Sequence, residues 1–389
     1  MLGFRPLPWD YGVRNLLRRP GRSALTLLGL AMVVFLVLLV TAFVRGLEAS
    51  LVASGDPSVV LVHSLGASEN IENSTVPGRG ASLLAASLPG IQSRSEHKYV
   101  SPELYLGSEV TTAGAGEPAM GIVRGITLSA PLVRRQFQLI EGHWPKSGEV
   151  LVGRLAPTKL GSDPRDLAIG RTIQFEGRSW TVSGRFASAG SVLESELWCP
   201  LEDLQPATKR QDLSLVAVTV SNAEGLADLE EFCKERLDLE WQATPETTYY
   251  AALQTHYGPV RSVAWLIVVL VAGAGVFAGL NTMYGAVVGR VRELATLQTI
   301  GFSRRAIALG LIQEAVILSS AAALLATVIA IGVLNGAAIR FTMGAFSLRI
   351  DGLVLAFGLG TGLLIGVIGA IPPALRALRM PLVEGLKAV

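Results

Sequence analysis

Four long stretches of the chain carry almost no charged side chain, and they define its organisation. A helix rises about 1.5 Å per residue, so about 20 apolar residues cross the roughly 30 Å hydrocarbon core of a bilayer. The pattern predicts four transmembrane helices, over residues 23–44, 262–289, 306–339 and 352–375. The third stretch is longer than a straight span needs, so we expect it to begin in the cytoplasm or to tilt.

The first stretch has the features of a signal anchor rather than of a cleaved signal peptide. Its apolar run exceeds the roughly 7–15 residues of a signal-peptide core. Residues 1–22 precede it and have an amphipathic pattern of their own. We therefore expect it to remain in the protein as transmembrane helix 1.

Basic side chains concentrate on one side of the four predicted helices. In membrane proteins, Lys and Arg in short loops favour the cytoplasmic side. The side that holds both termini and the loop between helices 2 and 3 carries Arg5, Arg14, Arg18, Arg19, Arg22, Arg290, Arg292, Arg304, Arg305, Arg376, Arg379 and Lys387. We expect a multi-pass protein of the cell (inner) membrane with both termini cytoplasmic, residues 46–260 outside, and a short outer loop at 341–350.

Residues 46–260 have the pattern of a mixed α/β domain. Short runs of β-forming residues alternate with turn signals and two helical patterns. The predicted strands are Ser58–Leu65, Met120–Arg124, Phe137–Glu141, Glu149–Gly153, Thr172–Phe175, Ser179–Gly184 and Leu215–Val220. The predicted helices are Gly80–Ala86, Leu226–Leu237 and a stalk at 245–257 that breaks near Gly258. Cys199 and Cys233 both lie in this domain, and the sequence leaves open whether they form a disulfide or stay as thiols.

Composition supports this division. Half of the residues are hydrophobic and only 16% are charged, which argues against an ordinary soluble protein and against disorder. The net charge of +2 combines an acidic part, with 26 acidic and 17 basic side chains at 48–260, and a basic remainder. The positive charge therefore reflects membrane topology, and no nucleic-acid partner is needed to explain it.

We find no catalytic constellation. The sequence has no Gly-x-x-x-x-Gly-Lys-Ser/Thr phosphate loop and no Gly-x-Ser-x-Gly motif. Its four histidines are scattered, without metal-ligand spacing, so we expect no metal site. We therefore expect a non-enzymatic chain that binds no cofactor itself.

Glu314 is the one acid well inside a predicted span, and an intramembrane ionisable group is a functional candidate. Two roles stay open: a structural one, in which it caps or pairs with a base near the inner interface, and one in transmitting motion. Glycines at four-residue spacing let helices approach closely, within one chain or between two copies. They are Gly275, Gly279, Gly285, Gly289, Gly358, Gly362 and Gly366.

Three predicted cytoplasmic segments have specific patterns. Residues 9–20 place apolar side chains on one helical face and arginines around it, as in an interfacial helix. In residues 290–305, a short helix should begin near Glu293 and stop at Gly301, and Ser303 can N-cap the third span. Residues 372–387 form a basic tail after the last span.

These segments resemble the permease subunits of the MacB/FtsX/LolC-type ABC transporter superfamily. The similarity covers the Arg14–Arg19 helix, the Arg290–Arg305 segment with Glu314 after it, and the Pro373–Leu386 tail. In the outer domain, residues 54–57, 137–142, 149–153 and 190–196 resemble a MacB-like core. The order of one span, a large outer domain and three spans is also that of the family.

The resemblance implies a fold of four transmembrane α-helices with an extracytoplasmic α/β domain inserted between helices 1 and 2. It implies that a separate ABC ATPase, which binds ATP and Mg, docks on a cytoplasmic coupling helix at 290–305. The coupling residues would be Arg290, Arg292, Glu293, Leu294, Leu297, Gly301, Ser303, Arg304 and Arg305. Further implied partners are a second permease copy or a related permease, the lipid bilayer, and a periplasmic adaptor or membrane-fusion protein.

Two functions remain open at this stage. In the first, ATP-driven movement of the outer domain (mechanotransmission) exports or extracts a substrate from the periplasmic side or outer leaflet. In the second, an FtsX-like regulatory permease activates an extracytoplasmic cell-wall hydrolase or signalling partner. The larger MacB-like outer domain favours the first.

Overall fold

The computed structural model describes residues 9–18, 20–95, 97–112, 114, 117–342 and 344–379. The chain divides into two units. The helical unit contains the chain up to Arg45, Pro259–Gly336, and the chain from Arg349 onwards. The α/β unit contains Gly46–Gly258 and Ala337–Leu348.

The helices are α1 Trp9–Arg18, α2 Pro20–Ser54, α3 Gly80–Ser87, α4 Ala130–Val133, α5 Ala156–Leu160, α6 Leu201–Thr208, α7 Ala223–Glu235, α8 Glu246–His256, α9 Gly258–Val288, α10 Val291–Thr299, α11 Arg304–Leu334 and α12 Gly352–Arg379. Four of them, α2, α9, α11 and α12, are long and apolar enough to cross a membrane. This confirms the prediction of four long apolar helices. The cytoplasmic tail predicted at 376–389 lies outside the described residues beyond Arg379.

The first and third spans differ in length from their predictions. Helix α2 continues to Ser54, well past the predicted 23–44, and its residues from Gly46 belong to the α/β unit. Helix α11 ends at Leu334, before the predicted residue 339, because Asn335 leaves the helical region and Gly336 has a φ of +79°. A glycine adopts this left-handed conformation without strain.

The strands are β1 Val59–Ser64, β2 Ser93–Arg94, β3 His97–Lys98, β4 Val100–Thr112, β5 Ala119–Ile126, β6 Gln138–Gly142, β7 Glu149–Gly153, β8 Thr172–Phe175, β9 Arg178–Ala187, β10 Glu196–Pro200, β11 Leu215–Thr219, β12 Trp241–Pro245, β13 Ala338–Phe341 and β14 Gly344–Ser347. Among the described residues, ten strands form one mixed sheet in the order β12-β1-β11-β4-β5-β10-β7-β9-β6, with β8 pairing with both β4 and β9. Strand β10 runs parallel to β5, and β7 parallel to β9. All seven predicted strands are present, which confirms the mixed α/β architecture.

The longest strand of the sheet, β4, was not predicted. It pairs antiparallel with β11 on one side and β5 on the other. It contains Pro102 and the charged residues Glu103 and Glu109. Pro is normally confined to edge strands, and buried carboxylates are rare unless they are paired, so the sequence pattern argued against a strand here.

The connection between α11 and α12, which the sequence predicts to be a short outer loop, contains a β-hairpin. Strands β13 and β14 pair over Ala338–Phe341 and Gly344–Ser347. Lys159 in α5 donates from Nζ to the carbonyl oxygens of Phe341 and Thr342, at 3.3 and 2.7 Å. These hydrogen bonds hold the hairpin against α5 within the α/β unit.

Both cysteines are buried free thiols, Cys199 in β10 and Cys233 in α7. Burial raises the pKa of Cys199 well above its ordinary value, and burial, with a smaller effect of Glu230, raises the pKa of Cys233 to about 11. A protonated buried thiol reacts slowly.

We expect no N-ethylmaleimide adduct on the folded chain at pH 7 and two adducts after denaturation without reductant, measured by intact mass. Fewer than two adducts after denaturation would instead show a disulfide.

Candidate functional site

Glu314 forms a buried ion pair in the helical unit. Arg290 Nη2 donates to Glu314 Oε1 and Oε2, at 2.8 and 3.1 Å. Asn15 Nδ2 also lies 2.8 Å from each of these oxygens. All three side chains are at least nine-tenths buried. We call these three residues the inner cluster.

The inner cluster joins three segments that are far apart in sequence. Asn15 lies in α1 and Glu314 in α11, and Arg290 stands between the end of α9 and the start of α10. A buried charge is costly without its partner, and removing one member of such a pair typically costs about 3–5 kcal/mol. The cluster therefore holds α1 and the beginning of α10 against α11.

Helix α10 has a face packed inside the protein and an exposed face. Leu294 is buried and Leu297 half-buried in an apolar cluster that includes Leu311 of α11 and Ala370 of α12. The exposed side chains on and directly after this helix are Arg292, Thr296, Thr299, Ile300, Ser303, Arg304 and Arg305. The helix presents polar and basic groups beside one exposed apolar residue, Ile300, which is 70% exposed.

The turn after α10 confirms two predictions, that the helix stops at Gly301 and that Ser303 N-caps the next helix. Gly301 has a φ of +106°, which ends the helix. Ser303 Oγ accepts from the Ala306 N–H at 3.2 Å and N-caps α11. Glu293 lies 3.7 Å from Arg18 of α1, an exposed pair of little energetic weight.

Arg22 of α2 contacts the backbone of the last two turns of α9. It donates from Nη2 to Thr282 O at 2.8 Å and from Nη1 to Gly285 O at 3.3 Å. Gly285 O also accepts from the Gly289 N–H, so Arg22 adds a second donor there, and the negative end of the helix dipole favours its charge. A Cβ at Gly285 would lie 2.8 Å from Arg22 Nη2, so this glycine gives the guanidinium its space.

The other predicted packing glycines lie mostly at helix contacts within the helical unit. A Cβ at Gly275 would meet Val33 of α2 and Ile365 of α12, and Gly279 lies beside Ile365. Along α12, a Cβ at Gly358 would meet Leu38, at Gly362 Ala323, and at Gly366 Ser319 Oγ. Gly289 lies in the turn after α9, where its N–H donates to Gly285 O at 3.1 Å.

A second buried ionic cluster lies in the α/β unit, and the sequence reasoning missed it. This outer cluster consists of Glu103, Arg124, Arg134, Glu196 and Glu246. Arg124 donates to Glu103 and, through two nitrogens, to Glu196 at 2.7 and 2.6 Å. Arg134 donates to Glu103 at 2.9 and 3.3 Å and also to Glu246.

Burial and the two arginines together shift the pKa values of two of these acids in opposite directions. Burial alone would raise the pKa of Glu103, but Arg134 and Arg124 outweigh it and lower this pKa to about 2. Burial raises the pKa of Glu246 above its ordinary value even though Arg134 lies beside it. Glu246 also accepts from the Asp56 N–H at 3.0 Å, so the cluster links the first residue of α8 to the chain just after α2.

One sequence signal pointed to the outer cluster. Arg124 sits within the apolar run of β5, where a charged residue needs a buried partner. Its partners lie on other strands, and single-sequence patterns do not reveal such pairings. Within the part of the chain that the structure describes, no three His, Cys, Asp or Glu side chains are grouped to hold a metal ion.

Two family models match the chain. Residues 23–232 match the MacB-like periplasmic core domain, and residues 265–382 match the FtsX-like permease C-terminal domain. The chain belongs to the MacB/FtsX-type ABC transporter permeases. It is accordingly a multi-pass membrane permease of a family that works with an ABC ATPase.

Solved domains of two other transporters are similar to about half of this permease. The periplasmic region of MacB from Actinobacillus actinomycetemcomitans is 13% identical, with a TM-score of 0.39 over 52% of this chain and 94% of that one. The extracellular domain of the noncanonic ABC-type transporter YknZ from Gram-positive bacteria is 14% identical, with a TM-score of 0.35 over 48% of this chain and 99% of that one. No curated protein sequence matches the chain.

Proposed function

We propose that this permease couples ATP hydrolysis on a partner ABC ATPase to movement of its α/β unit, and that this movement exports or extracts a substrate from the periplasmic side or outer leaflet. ATP and Mg bind to the ATPase, and the permease contributes no catalytic group. It lies in the inner membrane with both termini cytoplasmic, and works as a homodimer or heterodimer. A periplasmic adaptor is a further partner. The match of residues 23–232 to a MacB-like core supports export over hydrolase activation.

The inner cluster is the observation that carries this proposal. Arg290 directly precedes α10 and is held by Glu314 of α11 through a buried pair. Leu294 and Leu297 fasten the other face of α10 to α11 and α12. A displacement of α10 by an ATPase would therefore move these helices with it, because neither the ion pair nor the apolar contact can stretch far without a large cost.

The exposed residues on and directly after α10 are the proposed contact with the ATPase. Leu294 and Leu297 hold the helix in place, so the contact falls to Arg292, Thr296 and Ile300. Exposed basic groups beside an apolar residue are typical of a contact with a charged rim and an apolar centre.

Replacing Arg292 with Glu and Ile300 with Asp tests this contact. Both side chains are exposed, so the permease should still fold. We expect the complex with the co-expressed cognate ATPase to weaken at least tenfold, because a hot-spot residue at the centre of an interface contributes about 2 kcal/mol or more. Affinity of the purified complex and permease-dependent ATP hydrolysis are the measurements.

Arg171→Glu is the matched control, since it reverses one exposed arginine in the α/β unit. It should leave both readouts unchanged. If the α10 variant binds and stimulates the ATPase like the wild type, the assignment of α10 is wrong.

A further inference from the structure

Two adjoining cavities in the helical unit differ in chemistry. The first is polar and is lined by Asn15, Arg22, Ser23, Arg290 and Glu314, among others. The second is almost wholly apolar and is lined by residues that include Leu30, Gly279, Ile365, Gly366 and Gly369. The two share Thr26, Thr282, Met283 and Leu318 as lining residues, so one leads into the other.

The polar cavity keeps hydrogen-bond donors available. Arg290 is nine-tenths buried, and only its Nη2 donates to Glu314. Among the described residues, nothing accepts from its Nε or Nη1. Both oxygens of Glu314 already accept from Arg290 and Asn15. The charged side chains that line this cavity are Arg22, Arg290 and Glu314, so their net charge is +1. An anion in the cavity would therefore contact guanidinium groups, because the carboxylate of Glu314 is already paired.

The apolar cavity lies among four membrane-spanning helices. Its lining residues come from α2, α9, α11 and α12. Gly279, Gly366 and Gly369 contribute backbone to its lining, and its lining side chains are apolar except for Thr26 and Thr282. A hydrocarbon chain suits such a surface, whereas a hydrated ion does not.

We propose that these two cavities together bind one anionic phospholipid, with its phosphate at Arg22 and Arg290 and the upper part of one acyl chain in the apolar cavity. The positive charge of the polar cavity favours an anionic headgroup. The apolar cavity that adjoins it favours a ligand that also carries a hydrocarbon chain, which is a lipid. Basic pockets between transmembrane helices on the anionic leaflet favour such headgroups. The bound lipid would brace the end of α9 beside the inner cluster.

Native mass spectrometry of the full-length permease in neutral detergent tests the headgroup. Phosphatidylglycerol, phosphatidylcholine and inorganic phosphate are titrated separately. We expect phosphatidylglycerol to bind with the highest affinity, and Arg22→Gln to weaken it about tenfold through loss of a charge-assisted hydrogen bond. Arg14→Gln, which removes an exposed charge from α1 outside the cavity, should bind like the wild type.

A second pair of variants tests the acyl chain. Leu318→Trp fills the shared wall of the cavities and should also weaken phosphatidylglycerol binding about tenfold, whereas Leu324→Trp, on an exposed part of α11, should not. Circular dichroism confirms that each variant is folded. The proposal is overturned by equal losses for Arg22→Gln and Arg14→Gln, by inorganic phosphate binding as tightly as the lipid, or by unaltered binding in Leu318→Trp.

Discussion

Replacing Glu314 with Leu should both destabilise the permease and disconnect it from ATP hydrolysis. The substitution leaves the Arg290 guanidinium buried without its counter-ion, at a cost of about 3–5 kcal/mol. Asn15 loses its acceptor as well. Thermal unfolding of the purified permease in detergent measures the loss, and hydrogen exchange should rise first in α10 and the first turns of α11.

The double variant Glu314→Leu/Arg290→Met separates folding from transmission. Replacing a buried ion pair with apolar residues of similar volume is often neutral for stability. The double variant should therefore recover most of the lost thermal stability. If the ion pair transmits motion, ATP hydrolysis in the complex should still fail to drive transport. Recovery of both stability and coupled transport would limit Glu314 to the structural role.

The helical unit was largely predictable because its sequence patterns are local. The end of α10 at Gly301 and the cap at Ser303 follow from two residues and their neighbours. Likewise, the four apolar helices follow from the length of each charge-free run. The partner of Glu314 was predictable only as a base near the inner interface, because Arg290 approaches it through the packing of α10 on α11.

The α/β unit was less predictable because its charges pair across the sheet. Strand β4 has a proline, and its carboxylate Glu103 is neutralised by residues on β5 and just after α4. Read alone, Glu103 and Arg134 look like solvated surface groups, and Arg124 indicates only that it needs a buried partner. The β13–β14 hairpin was missed for a similar reason: Ile339 continues an apolar run, but it pairs with Phe346 beyond the turn.

Replacing Glu103 with Gln should cost the α/β unit more stability than the same change at Glu246. Glu103 accepts from both Arg124 and Arg134, so its loss leaves two buried guanidinium groups with one negative charge fewer between them, at about 3–5 kcal/mol. Among the described arginines, only Arg134 contacts Glu246. Burial raises the pKa of Glu246, so its ionised form is already disfavoured and Gln should replace it at a smaller cost.

The pH dependence of stability distinguishes the two acids. The pKa of Glu103 is lowered, so its stabilising contribution is present above its ordinary pKa of 4.5 and is lost as the pH falls towards about 2. The difference between wild type and Glu103→Gln should therefore be constant near neutral pH and shrink between about pH 4.5 and 2. The raised pKa of Glu246 gives the opposite sign, since its protonated form stabilises the fold at low pH and this contribution is lost as the pH rises.

Hydrogen exchange of the β4 and β5 amides in the full-length permease, converted to opening free energies at each pH, measures the difference between wild type and each of the two Gln variants. Equal losses at neutral pH, or a Glu103→Gln difference that persists at pH 2, would contradict the assignment of Glu103 as the ionised centre of the outer cluster.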